Sequence, residues 1–445
     1  MGHWVPHTDE EIQAMLGFIG LSSLDELFSV VPEALRLAGG LDLPPGMSEP
    51  EVLERLEALA GANQASQLTC FAGGGAYDHE VPPVTAALAS RSEFVTSYTP
   101  YQPEVAQGVL QALFEYQTMV AELSGLEVAN ASLYDGAHAL AEALHLAASV
   151  TGRAEAWVSQ GVNPAWRQVA WTLAEGSGLQ LRLARLGDGR TAWPEEPGHP
   201  AAVVAAYPNY LGCLEDLDQA ARLARRCQAL LVVAYDPVAV GLLRPPGEWG
   251  ADLAVAEGQC LGTPLSFGGP YLGLFSTSAD HVRRLPGRLV GETVDSSGRR
   301  AYVSTLRTRE QDIRRERATS NVCTNQTLLA VAAAIQLGWL GPAGLAEVAL
   351  RCARATRYCR EGLLGLDGVE PAASAPVLRE FAVRVPLAAE TLLERLADAG
   401  YLAGLPLGEG MEGSGCEGGL LVAVTEKRTA EEIDGFVAAF GKALR

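Results

Sequence analysis

The sequence predicts an α/β fold: a mostly parallel sheet with helices on both faces, a helical N-terminal arm and a small α+β C-terminal domain. Three observations carry this. Short apolar runs alternate with helical stretches through the middle of the chain, the pattern of strands buried on both faces. Capping signals precede amphipathic segments in the first 65 residues. Beyond about residue 330 long helices are interleaved with two strands. The expected divisions are 1–65 for the arm, 66–330 for the large domain and 331–445 for the small one.

In the arm, Thr8 with Glu11 and Ser23 with Glu26 have capping-box spacing, and SEPEVLERLEALAGANQ reads as a third helix after the Pro-rich LDLPPG. Such an arm either packs on its own domain or wraps a partner. In the large domain VAQGVLQALFEYQTMVAELSG is a helix ending at Gly125, and SLYDGAHALAEALHLAASV opens a second through a glycine turn. The runs AEAWVSQ, LQLRLARL, AAVVAAYPN and ALLVVAYD are strands, with LEDLDQAARLARRCQ a helix between two of them. In the last part TLLAVAAAIQLGWLG, GLAEVALRCARATRYCREGLLG, AETLLERLADAG and TAEEIDGFVAAFGKAL are helices; FAVRV and GLLVAVT are strands.

A net charge of −20 disfavours nucleic acid and anionic membranes as partners. The eight cysteines include no C-x-x-C and no zinc-ligand spacing with the seven histidines, so no metal site is expected and the thiols read as reduced and mostly buried. The N-terminus has neither a basic n-region nor an apolar h-region. It starts Met-Gly, but Pro6 stands where myristoylation wants Ser or Thr, and no apolar run is read as spanning a bilayer. The expected compartment is the cytoplasm. Lysine is the most informative count: there are two, Lys427 and Lys442. An arginine-for-lysine composition bias accounts for most surface positions. It does not supply an amine nucleophile, and a guanidinium forms no Schiff base.

Five segments are candidate sites. Tyr98, Tyr101 and Gln102 are presented by Pro100 and Pro103, in a site or an ordinary linker. Ser132 to His138 open a helix whose amides could bind an anion, although most such turns bind nothing. Asp236 follows a strand and either pairs with a ligand or ends the strand in an Asp-Pro turn. Gln259 lies between two predicted strands. Thr319, Ser320, Asn321 and Thr324 follow the charged cluster of Arg314, Arg315, Glu316 and Arg317, and read equally as helix caps or as phosphate ligands.

The strings FAGGGAYDHEVPPV, YTPYQPEVAQGVLQALFEYQTM, SLYDGA, YPNYLGCLED, GADLAVAEGQCLGTPLSFGGPYLG, LPGRLVGET, RERATSNVCTNQ and VTEKRT run from about residue 70 to 430. They resemble the two-subunit glycine decarboxylase (P-protein) family, on the side of its N-terminal-half subunit. The resemblance implies the aspartate-aminotransferase-like fold type I of pyridoxal-phosphate (PLP) enzymes. It implies an α2β2 assembly in which the second (beta) subunit alone carries the PLP lysine. The pair acts on glycine and passes the aminomethyl group to the lipoyl arm of H-protein. In the catalytic partner the lysine precedes a Gly-Gly-Pro turn by nine residues; counting back from Gly268-Gly269-Pro270 gives Gln259. The resemblance therefore implies no catalytic residue in this chain alone. Tyr98, Tyr101, Gln102, Thr319, Ser320, Asn321 and Thr324 become candidates for completing the partner's site, against the alternative of a purely structural or docking subunit. Thr is expected where His138 stands, which weakens a phosphate role for that turn.

Overall fold

The computed structural model describes residues 6–37, 39 and 41–445. The Met-Gly start lies outside them. The chain forms two compact units, Met1–Gln64 and Ala65–Arg445.

In the first unit, helix α1 (Asp9–Phe18) starts at the Thr8/Glu11 capping box, and α2 (Glu49–Gly61) follows Ser48, whose N–H donates to Glu51 at 2.7 Å. The expected box at Ser23 does not form. Ser23 makes no capping bond, the segment Leu24–Phe28 is a single 3-10 stretch, and Glu26 instead takes the hydroxyl and N–H of Ser22. The carboxylate reaches the neighbouring serine because a 3-10 turn rises more steeply than an α turn.

The second unit is built on a seven-stranded sheet: β1 (Val128–Ala129), β2 (Glu155–Ser159), β3 (Gln180–Ala184), β4 (Ala202–Tyr207), β5 (Leu230–Tyr235), β6 (Leu253–Glu257) and β7 (Gly273–Thr277). Their order is β1-β7-β6-β5-β4-β2-β3. The five strands from β6 to β3 are parallel, and β7 runs antiparallel to both β6 and β1. Every residue of β4, β6 and β7 is buried, as a sheet covered on both faces requires. On one face pack α3 (Gln107–Ser124) and α6 (Leu217–Cys227); on the other, α4 (Gly136–Thr151) and α5 (Pro164–Ser177). The glycine predicted to stop α3 does so: Gly125 adopts φ 67°.

A hairpin, β8 (Leu289–Val294) with β9 (Arg300–Thr305), lies against α3. The two helices expected after residue 327 are both present and run on from one another as α7 (Thr327–Leu364), separated at Gly341, whose φ 60° and ψ 178° are not helical, just before Pro342, which lacks a donor. It contains an 18-residue window long and apolar enough to cross a membrane, which corrects the reading that no such run exists. Here Ala330, Val331 and Ala333 of that helix are buried, and Ala330 and Ala333 join the core beneath α3. The chain closes with a four-stranded antiparallel sheet, ordered β10 (Glu370–Pro371), β11 (Glu380–Arg384), β13 (Leu420–Ala423), β12 (Leu405–Pro406). Helices α8 (Ala389–Asp398) and α9 (Ala430–Ala443) cover it around the stacked rings of Phe71 and Phe436.

Candidate functional site

The loops at the carboxyl ends of β4, β5 and β6 face the 73–79 loop and the start of β11 across a pocket. That is where open α/β sheets bind ligands. The approach is close: a Cβ on Gly212 would stand 1.7 Å from the carbonyl oxygen of Glu380. Tyr77, Trp166, Tyr210, Asp236, Glu257 and Arg379 are among the walls.

Gln259, two residues beyond β6, is 2% exposed. Its Oε1 accepts the N–H of Tyr77 at 2.9 Å. Its Nε2 donates to the carbonyls of Thr263 at 2.7 Å and of Tyr77 at 3.2 Å. The amide thus uses both of its ends to bind backbone, which an amine could not do. Of the two lysines, Lys427 pairs with Asp78 at 2.7 Å and Lys442 is exposed near the end of α9.

The helix N-terminus at α4 is occupied by the protein's own carboxylates. Asp135 caps the helix by accepting the N–H of His138 at 2.7 Å. Glu257 accepts the N–H of Gly136 at 2.9 Å on one oxygen, and those of Gln259 and Leu272, each at 2.9 Å, on the other. Burial pushes the Glu257 carboxyl up to about 7 against the pull of these three donors. A Cβ at Gly136 would stand 2.3 Å from the indole of Trp166, so that ring is seated on the turn. The His138 ring lies tilted against Tyr134, their centres 4.7 Å apart, with Nε2 3.5 Å from Glu142.

Asp236 also has an internal partner. One of its oxygens meets Arg379 at 2.6 Å, while the other accepts the N–H of Val238 at 2.9 Å, the bond of an Asp-Pro turn. The turn reading of this residue holds, and the oxygen left for a ligand is instead taken by a guanidinium from the C-terminal sheet region. Arg379 lies 3.4 Å from the centre of the Tyr77 ring and 2.6 Å from His79 Nε2. A guanidinium only donates, so Nε2 accepts and Nδ1 carries the proton towards Glu426, 2.6 Å away. Burial is the largest single influence on Glu426 and opposes its ionisation, yet the hydrogen bond and electrostatic pull of His79 together with backbone N–H donors, that of Glu80 among them, outweigh it and hold this carboxyl down to about 2. His79, Cys352 and Glu426 place three ligand-type atoms within 4.8 Å of one another, although both ring nitrogens of His79 already have protein partners. Glu380 accepts the Tyr77 hydroxyl and, at 3.0 Å, the N–H of Gly74; burial pushes it up to about 7.

These residues do not fit PLP. Gln259, where the resemblance expects the lysine's place to fall, is an amide bound to backbone, and the strand-end carboxylate Asp236, the candidate partner for a pyridinium nitrogen, is bound to Arg379. The helix amides that would meet a phosphate are taken by carboxylates, which would repel it.

The other predicted residues lie elsewhere. Tyr98 is 81% and Tyr101 51% exposed, and Gln102 is exposed as well. Thr319, Ser320 and Thr324 are half-buried, and Asn321 is exposed. None of the four caps α7, whose N-cap is Gln326, with no side-chain capping bond. The capping alternative therefore falls: α7 starts after the loop has turned away, and Ser132 Oγ takes the N–H of Gln326 at 3.1 Å. Ser320 accepts the N–H of Val322 at 3.1 Å and bonds to Glu142 on α4, whose burial pushes it up to about 7. What joins the two candidate segments is Arg288, missed in the sequence reading although it stands in LPGRLVGET. Its Nη2 donates to the Tyr101 hydroxyl at 2.9 Å and to the carbonyl of Cys323 at 2.5 Å. Arg307 also lies against the Tyr101 ring, 5.3 Å from its centre. Arg379, Glu257 and Glu380 were missed too; only the strand end before Gln259 marked Glu257 in the sequence.

The chain matches the family model described as Glycine cleavage system P-protein over residues 2–440. A probable glycine dehydrogenase (decarboxylating) subunit 1 from Moorella thermoacetica is 48% identical over 440 residues, 98% of each chain. Its counterpart from Chloroherpeton thalassium is 45% identical over 441 residues, again 98% of each. A crystal structure of glycine decarboxylase (P-protein) of the glycine cleavage system, in inhibitor-bound form, matches with TM-score 0.92 and 46% identity, covering 99% of this chain and 100% of that one. The fold alone is shared with a sphingosine-1-phosphate lyase from Burkholderia pseudomallei, at TM-score 0.65, 15% identity and 93% and 94% coverage. It is also shared with an alanine–glyoxylate aminotransferase from Nostoc, at TM-score 0.59, 17% identity and 93% and 99% coverage. The architecture is fold type I of the PLP-dependent enzymes, and the chain belongs to the glycine cleavage system P-protein family, within its group of glycine dehydrogenase (decarboxylating) subunits 1.

Proposed function

We propose that this chain is the subunit of glycine decarboxylase that carries no cofactor lysine and is inactive alone. PLP is held by the second subunit, where it supplies the electron sink for loss of CO2 from glycine. The pair then passes the aminomethyl group to the lipoyl arm of H-protein. The observation that carries this reading is Gln259, fixed by three backbone hydrogen bonds where the family's catalytic chain has its lysine.

A contribution to the partner's site, rather than docking alone, is favoured by Arg288, which ties Tyr101 to the backbone beside Ser320 and Thr324. Hydroxyls and amides on this surface can bind an anionic group without adding chemistry of their own. The test is glycine–bicarbonate exchange by the reconstituted pair with lipoylated H-protein. Activity is expected only with both subunits. Tyr101→Phe and Ser320→Ala are each expected to lower it about tenfold to a hundredfold, the loss of one hydrogen bond to a charged group. Unchanged turnover and PLP affinity in both variants would remove the side-chain contribution and leave a docking role.

A further inference from the structure

The first unit has helices but almost no core. Of its described residues only Leu16 is buried. Seventeen large apolar side chains between Met15 and Leu59 are exposed, half of the thirty-four such side chains among all described residues. On α2 the exposed Val52, Leu56 and Leu59 recur at i, i+4 and i+7 and form one stripe, with Leu53 beside it. Helices of 10 and 13 residues are marginal in water unless such a face is packed. The number of apolar side chains approaches the 20–30 residues that one partner typically contributes to a specific interface.

Charge selects what covers the arm. Residues 1–64 carry eleven carboxylates against two arginines, a net −9, and the remaining residues carry −11 of the chain's −20. Packing the arm on its own body, or on a second copy of this chain, sets acidic surface against acidic surface. We propose that the arm is a docking element for the second subunit of the enzyme, which meets it with an apolar groove rimmed by basic side chains. This rests on the two-subunit reading above.

The experiment compares the full-length wild-type chain with a Leu53→Glu/Leu56→Glu/Leu59→Glu variant. Glutamate keeps helix propensity, and no buried residue is touched. Binding to the second subunit is measured by sedimentation at low and high salt, and amide exchange in α2 is followed in the free chain and in the complex. The variant is expected to bind at least about a hundredfold more weakly, as the loss of three buried leucines requires. Wild-type affinity is expected to fall with salt, and α2 amides to be protected only in the complex. A single Leu56→Ala chain, with a smaller loss, guards against misfolding of the triple variant. Wild-type affinity in the triple variant, or α2 protection already complete in the free chain, would overturn the docking role alone. A wild-type chain that never binds the second subunit would overturn the two-subunit reading along with it.

Discussion

Replacing Gln259 by leucine isolates what the amide does in place of a lysine. The two side chains are close in size, so the cavity left is small and the loss is one of hydrogen bonds. The Tyr77 N–H loses its acceptor at 2.9 Å and the Thr263 carbonyl its donor at 2.7 Å, both in the interior. The Tyr77 carbonyl fares better, because it still accepts the N–H of His79 at 3.0 Å. Two orphaned backbone groups at about 1–3 kcal/mol each give a destabilisation of about 2–6 kcal/mol. Gln259→Lys should cost at least as much. An ammonium can serve both carbonyls, but it turns like charge towards the Tyr77 N–H and has to be buried. Urea unfolding followed by tryptophan fluorescence reads these costs as a fall in midpoint. A Gln259→Leu chain within about 1 kcal/mol of wild type would refute the view that Gln259 staples the 73–79 loop.

Arg379→Met strands Asp236 beside an apolar side chain and should destabilise by about 3–5 kcal/mol in the same assay, whereas an Arg379/Asp236 double replacement by Met and Leu recovers part of the loss. Glu380 is raised to about 7 from an ordinary 4.5, so its stabilising term is complete below about 4.5 and is lost as pH rises through 7. Glu380→Gln should therefore flatten part of the stability decline between pH 5 and 8, by up to about 3 kcal/mol, read as the difference in urea midpoints. Arg288→Leu should free Tyr101, and it is expected to raise protease sensitivity around residues 98–104 and 319–324 together; release of one segment without the other would sink the coupling.

The central strands AVVAAY and LLVVAY were legible because each is a continuous apolar run bounded by turn residues, and QLRLA because it alternates; the two-residue strand Val128–Ala129 was not read, being too short to carry a pattern. The helix stops were legible for a local reason as well, since Gly125 provides the left-handed turn itself. The local signal misled at Ser23, where a serine and a glutamate at the right spacing produced a 3-10 turn instead. The site was legible at two points: Gln259, whose place is counted from a neighbouring turn, and Asp236, which follows the end of a strand and lines the pocket. The rest was not, because its partners are far apart in sequence. Arg379 meets His79 across 300 residues, and Tyr77 meets Glu380 across 303. Arg288 stands in an unremarkable Leu-Pro-Gly-Arg turn, and only the fold brings Tyr101 and Cys323 to it. Glu257 could not be recognised as an occupant of the α4 amides, because the pairing crosses 121 residues.

The most direct test is to reduce the active pair with borohydride in the presence of PLP and to locate the pyridoxyl label by mass spectrometry. The label is expected wholly on a lysine of the second subunit, with this chain unmodified. Stoichiometric label on Lys427 or Lys442 of this chain, rising in step with activity, would contradict the account.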